Sequence, residues 1–216
     1  MSPPYTEGSA HQYVWMVPHD PEGLLELMGS AEVMVERLEA FFEGAVVEQA
    51  ATPDFAEYDD LFWMGYTPTE YWHGNEPDIH AAYLFAVAGR PDLTQKWLNW
   101  IMNTLYHTGN TGIPGNDDAG TLAAWYVFSA MGFYPQAGST QYIIGAPLFE
   151  RMEVRVGSNT LVIQAPNVSA ENIYVQSVTL NEQKITTPRL NHADLEGGGV
   201  LHFEMGPAPS NWGRGE

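Results

Sequence analysis

The sequence predicts a two-part α+β chain, helical over residues 1–138 and an antiparallel β-sandwich over 139–216, on three observations. Apolar residues recur with a helical period from about residue 21 to 135, and Gly and Pro punctuate that stretch at helix-length intervals. After Pro135 the pattern changes to short runs rich in Val, Ile, Tyr and Thr, separated by turn residues.

In order along the chain, a first helix starts after Pro21 and runs from Glu22 to Met28. Ser30 is placed to N-cap a second through Phe42, ended by Gly44, with Val33, Val35, Leu38, Phe41 and Phe42 as its apolar stripe. A third begins with Pro77 in its first turn and closes at Gly89 after Ala88. A fourth follows Pro91-Asp92 through Trp97, Trp100, Ile101 and Leu105, and a fifth spans Gly120 to Met131, closed by Gly132. The strands expected next are Gln141 to Ile144, Arg151 to Val156, Thr160 to Gln164, Ile173 to Leu180 and Val200 to Glu204. Glu153-Val154-Arg155-Val156 and the run Leu201 to Met205 alternate polar and apolar, as strands buried on one face do.

Eight Lys plus Arg against 27 Asp plus Glu leave a net charge of −19, which repels a phosphate backbone and excludes nucleic acid as the expected partner. No run of 18 apolar residues occurs, so no membrane span is expected, and the start, Met1-Ser2-Pro3-Pro4-Tyr5, lacks the charged and apolar regions of a signal peptide. With no Cys there is neither a disulfide framework nor a thiolate metal site. Seven Trp among abundant carboxylates suit a sugar, whose C–H faces stack on rings while its hydroxyls donate to acids.

Three carboxylate-bearing motifs sit in connections ahead of helices, where functional side chains concentrate. They are Glu7-Gly8-Ser9-Ala10-His11-Gln12-Tyr13, continued by Trp15 to Asp20; Trp72-His73-Gly74-Asn75-Glu76-Pro77; and Gly115-Asn116-Asp117-Asp118-Ala119-Gly120. Singly each has a plain structural reading: Asp118 or Glu76 as a helix cap or dipole partner, Asp117-Asp118 as a solvated turn, His73 as a satisfied surface imidazole. Together they meet the requirement of glycoside hydrolysis for an acid and a carboxylate facing each other across a sugar, with Glu7 and the Asp117-Asp118 pair as the two poles. Asn75 and Glu76 offer the hard oxygen ligands that Ca²⁺ accepts, whereas a lone His73 without Cys argues against zinc.

These strings, with Gly120-x-x-x-Ala124-Trp125-Tyr126-Val127-Phe128-Ser129-Ala130-x-Gly132-Phe133-Tyr134-Pro135 and the later Tyr142-x-Ile144-Gly145-x-Pro147-Leu148-Phe149, Asn191-His192 and Asn211-Trp212-Gly213, resemble in order the C-terminal part of glycoside hydrolase family 92. The resemblance covers nearly the whole chain. It implies the last helices of an (α/α)₆ barrel followed by the sandwich, and a Ca²⁺-dependent, inverting exo-α-mannosidase acting mostly on α-1,2 links of mannose-containing glycans. Residue by residue, it implies Glu7 as general acid, Asp117-Asp118 as the source of the base, Asn75 and Glu76 near the calcium, and His73 and Gln12 at the substrate. It also implies a periplasmic or secreted location, and a site completed by the missing N-terminal part of the enzyme or by a homo-oligomer. In an inverting site the acid and base carboxyls lie about 6.5–9.5 Å apart, leaving room for a water, and the acid is kept protonated by burial or by neighbouring acids. Ser9 and His11 depart from the family's Asn and Trp in the first motif, and Thr121-Leu122-Ala123 departs from Gln-Met-Ser after the third. Two other readings are a non-catalytic carbohydrate-binding remnant and a barrel phosphorylase, the latter disfavoured by the lack of a basic cluster near the motifs.

Overall fold

The computed structural model describes residues 5–51, 68–110 and 112–214. Among these residues six helices come first: α1 (Ala10–Tyr13), α2 (Pro21–Met28), α3 (Ala31–Ala51), α4 (Ala81–Val87), α5 (Pro91–Thr104) and α6 (Thr121–Met131). Then come β1 (Phe133–Pro135), β2 (Gln141–Ile144), β3 (Arg151–Val156), β4 (Asn159–Gln164), β5 (Tyr174–Leu180), β6 (Gln183–Ile185), β7 (Arg189–Asn191), α7 (His192–Glu196) and β8 (Gly199–Gly206). The α+β class read from the sequence holds, and the helices do not close a ring among the described residues.

Local chemistry explains most helix limits. The Asp20 carboxylate accepts from Gly23 N at 3.0 Å and caps α2, which has Pro21 in its first turn. α6 is bracketed by Gly120 and Gly132, both left-handed, and Gly132 donates back to Ser129 O at 2.9 Å. α3 differs from expectation by continuing through Gly44 to Ala51. A Cβ on Gly44 would sit 2.6 Å from Glu70 Cγ, so the glycine admits a crossing segment and does not end the helix. Its buried face is Met34, Leu38, Phe41, Phe42 and Ala45, with Val33 exposed. α4 starts at Ala81, four residues beyond Pro77, because Asp78 organises the preceding turns: its Oδ2 accepts from Trp72 N at 3.1 Å and its carbonyl from Ala81 N at 2.8 Å.

Two cores result. Trp15, Phe41, Phe42, Tyr71, Phe85, Trp97 and Trp125 anchor the helical one, in which Phe42 stacks on Trp97 with centroids 4.9 Å apart. In the second, residues from both sheets share one interior, with Phe133, Ile144 and Leu190 from the sheet β1-β2-β7 and Leu161, Ile163, Val175, Leu201 and Phe203 from the sheet β3-β4-β8-β5-β6. The expected all-antiparallel sandwich is corrected at one pair: β4 and β8 run parallel, in register Leu161 with Gly199 through Gln164 with His202. The expected boundary at 138/139 falls between β1 and β2, which pair with each other from Phe133–Ile144 to Pro135–Tyr142.

The two parts are tied by polar contacts, both buried and exposed. On α5, Gln95 Oε1 accepts from Val175 N of β5 at 3.0 Å. Asp92, buried beside it, bonds Arg90 at 2.8 Å and Arg214 of the C-terminal tail at 3.1 Å. Burial pushes the Asp92 carboxyl up, but the hydrogen bonds and charges of these arginines outweigh it and leave the group below the usual carboxylate range. Arg189 of β7 pairs with Glu22 of α2.

Candidate active site

The first motif forms a tight loop feeding α1. Ser9 and Gln12 make a capping box: Gln12 N donates to Ser9 Oγ at 3.3 Å and Ser9 N to Gln12 Oε1 at 2.8 Å. Glu7, just before it, has φ +52° and an exposed side chain. A non-glycine residue in that region is strained by roughly 1–3 kcal/mol and persists only where the surroundings fix it. Part of the fixing is visible: Tyr13 Oη donates to Thr6 O at 2.6 Å, and the Gln12 amide donates to Pro68 O at 2.9 Å and Glu70 O at 2.8 Å.

The second motif lies against the first. Asn75 Nδ2 donates to Glu7 O at 2.6 Å, and its Oδ1 accepts from Glu76 N at 3.2 Å. His73 is only 1% exposed and bonded at both ring nitrogens, Nδ1 to the Tyr71 hydroxyl and Nε2 to that of Tyr106 at 2.7 Å. Burial lowers its pKa to about 3, so the ring is neutral. Tyr106 Oη in turn donates to Leu122 O on α6 at 3.1 Å. Asp78 is fully buried, with no hydrogen-bond partner for Oδ1 among the described residues, and burial pushes its carboxyl well above the usual range despite the backbone bond from Trp72.

The third motif turns through Asp118 at φ +40° and Ala119 at φ +60° into α6. Asp117 is half-buried and its Oδ1 accepts from Ala123 N at 2.8 Å, while its carbonyl accepts from Thr121 N at 2.7 Å. Asp118 is exposed. This loop touches the second through paired glycines: a Cβ on Gly74 would lie 2.4 Å from Pro114 O, and one on Gly115 2.7 Å from Gly74 Cα. Gly115 also takes φ +115°, which only glycine adopts without strain.

The three motifs read from the sequence therefore converge, Glu7 onto Asn75 and Gly74 onto Gly115. A hollow of about 280 Å³ opens beside them between Pro18, Pro21, Glu76, His80, Tyr83 and Tyr134, with Glu7, Asp117 and Asp118 outside its lining. Two expectations change. His73 is an interior group and not a surface imidazole, and Gln12, 2% exposed, has its amide engaged by main-chain groups. Neither presents a free polar atom to a substrate here; both act on the loops that hold Glu7 and Asn75. Glu7, expected to be kept protonated by burial or by neighbouring acids, is exposed among the described residues. Tyr71, Tyr106 and Asp78 escaped the sequence reading, since nothing local marks a tyrosine or aspartate whose partner comes from another element.

For a metal, Asn75 Oδ1 and the half-buried Glu76 carboxylate have the donor chemistry calcium takes, but they are two oxygens of the six to eight it needs. Among the described residues no cluster of three or more His, Asp or Glu side chains forms a metal site. The remaining ligands would be main-chain or amide carbonyls, waters, substrate hydroxyls or groups outside the described residues.

The model of the glycosyl hydrolase family 92 catalytic domain matches residues 1–207. The chain belongs to glycoside hydrolase family 92. It is similar to a secreted glycosidase of Arthroderma benhamiae, 30% identical over 94% of this chain and 24% of that protein. Among solved structures, it is similar to a family 92 inverting mannosidase of Bacteroides thetaiotaomicron, at 37% identity and TM-score 0.80 over 98% of this chain and 29% of that one. A family 92 α-mannosidase of the same bacterium, solved with mannoimidazole, gives 32% identity and TM-score 0.79 over 94% of this chain and 26% of that one. The chain thus spans between a quarter and a third of the length of these family 92 structures.

Proposed function

We propose that this chain is the C-terminal part of an exo-acting α-mannosidase that removes terminal mannose, mainly α-1,2-linked, from glycans with inversion. The observation that carries the reading is the convergence of the Glu7 loop and the Asp117-Asp118 loop on the Gly74-Asn75 turn. Glu7 delivers a proton to the departing glycosidic oxygen, and the Asp117-Asp118 pair receives one from the attacking water on the other face of the sugar. Asp117 is the better held of the two, because Ala123 N fixes one of its oxygens and leaves the other for water. The inverting mannosidase among the structural relatives supports this stereochemistry. Asn75 and Glu76 would contribute two oxygens to a Ca²⁺ whose chemistry is to gather the vicinal hydroxyls of the mannose. The secreted relative supports export, to the periplasm or beyond.

A second reading, a carbohydrate-binding remnant without turnover, is favoured by the exposure of Glu7 and Asp118 in the chain as it stands. The test is release of mannose from an α-1,2-mannobiose by the purified chain, with Ca²⁺ and with EDTA, beside Glu7→Gln. Calcium-dependent release abolished by the substitution supports the enzyme. Mannose binding by a folded chain without release supports the remnant.

A further inference from the structure

We propose that His73 and Tyr106 are positioning residues: with Tyr71 they form a one-directional hydrogen-bonded strut that fixes the separation of the Glu7 loop from the Asp117-Asp118 loop. This rests on the reading of those loops as the acid and base sides of one site.

The direction follows from counting protons. Tyr106 has one hydroxyl hydrogen and gives it to Leu122 O at 3.1 Å, so its oxygen can only accept from His73 Nε2 at 2.7 Å. With its proton on Nε2, the neutral ring must accept at Nδ1, and the donor there is the Tyr71 hydroxyl. At one end of the strut His73 adjoins Gly74-Asn75, and Asn75 Nδ2 holds Glu7 O at 2.6 Å. At the other, Leu122 adjoins Ala123, whose N–H holds Asp117 Oδ1 at 2.8 Å. A continuous path of hydrogen bonds and short backbone steps thus runs from the main chain of Glu7 to the carboxylate of Asp117.

The surroundings keep the strut rigid. His73 lies edge-on to Trp125 at 4.2 Å between centroids, and Tyr106 is parallel to Trp125 within 2°. Trp125 is itself held by its indole N–H to Ile79 O at 2.8 Å. An imidazole held in one tautomer by a partner on each nitrogen is a stiffer spacer than an exposed histidine, because a tautomer flip breaks a joint.

The experiment has two arms on the 216-residue chain and needs no substrate. In ¹⁵N-histidine NMR at pH 7.5, His73, assigned as the ring perturbed by Tyr106→Phe, is expected to show a protonated Nε2 and a bare Nδ1. A Nδ1-protonated ring, or no ring perturbed by the substitution, overturns the proposal. In hydrogen exchange, Tyr106→Phe should speed the amides of both Asn75-Glu76 and Thr121 to Ala123 by about two- to tenfold, the worth of one hydrogen bond, with β3 and β4 unchanged. Acceleration in only one loop, or equally throughout the chain, overturns it. If Tyr106→Phe does not fold, His73→Leu removes the same His73–Tyr106 joint and carries the same exchange expectation. Failure of mannose release bears on the proposed enzyme and leaves both arms readable.

Discussion

Asn75 donates its side-chain amide to the main-chain carbonyl of Glu7 across 2.6 Å, although 68 residues separate them. The bond holds a left-handed glutamate whose own side chain is exposed, so the amide fixes the loop while leaving the carboxyl free.

Asn75→Asp removes that donor and sets a carboxylate against a carbonyl oxygen. If Glu7 is the acid, a displacement of about 1 Å lowers turnover by up to about 100-fold. Kinetics of mannose release by Asn75→Asp, with hydrogen exchange of the Glu7 loop as the structural control, check this. Wild-type rates alongside a loosened loop would refute it.

Gly115→Ala is expected to be more damaging than its size suggests. The added Cβ meets Gly74 Cα at 2.7 Å, where backbone faces backbone, and the residue must also hold φ +115°. The strain alone is about 1–3 kcal/mol. Urea denaturation should show a loss in that range or larger, whereas Gly29→Ala, at φ +92° with open space around it, should lose only the conformational part.

Gln12→Leu should destabilise the chain by about 2–4 kcal/mol, since Ser9 N, Pro68 O and Glu70 O all lose their partner in a closed environment. Its effect on mannose binding is expected to follow stability and not side-chain contact. Urea denaturation beside binding isotherms would separate the two.

Acidification should weaken the fold before the carboxylates of the surface respond. Burial lowers His73 to about 3 and His80 to about 4 from 6.5, so below pH 6.5 the unfolded chain binds protons that the folded chain refuses. Each histidine therefore removes about 1.4 kcal/mol per pH unit between 6.5 and its folded value. Asp78 acts oppositely. Its carboxyl is raised, so the folded chain keeps a proton that the unfolded chain releases, and the resulting penalty fades as pH falls towards the ordinary carboxylate value. Asp78→Asn should consequently stabilise the chain at pH 7.5 and steepen its acid loss between pH 6.5 and 4. Unfolding free energies at pH 7.5, 6 and 5 for both chains measure the difference, and parallel curves would contradict it.

Legibility in the sequence tracked the range of the forces involved. β2 and β3 were read to the residue because apolar alternation and flanking turn residues are local, and α6 because a left-handed glycine stands at each end. α3 was cut short at Gly44, whose reason lies with Glu70 on another segment. The parallel pairing of β4 with β8 leaves no local trace, and the short strands β6 and β7 carry too few residues to alternate. The site divides in the same way. The motifs carrying Glu7, Asn75 and Asp117 were visible because Gly and charge cluster in sequence. The burial of His73 and Gln12 was not, since it is imposed by Tyr106, Pro68 and Glu70 from distant positions.

The order of strands in the larger sheet has a consequence for how the protein is made. Among the described strands of this sheet β8 leaves the ribosome last, yet it sits in the middle, parallel to β4 on one side and antiparallel to β5 on the other. Until residues 199–206 emerge, the β3-β4 and β5-β6 hairpins are separate ribbons with open inner edges, and isolated two-stranded ribbons are marginal in water. The nascent chain must carry the β4 edge unpaired from the emergence of Gln164 until Gly206 has followed, so a product stalled or stopped in that interval is the form most exposed to aggregation.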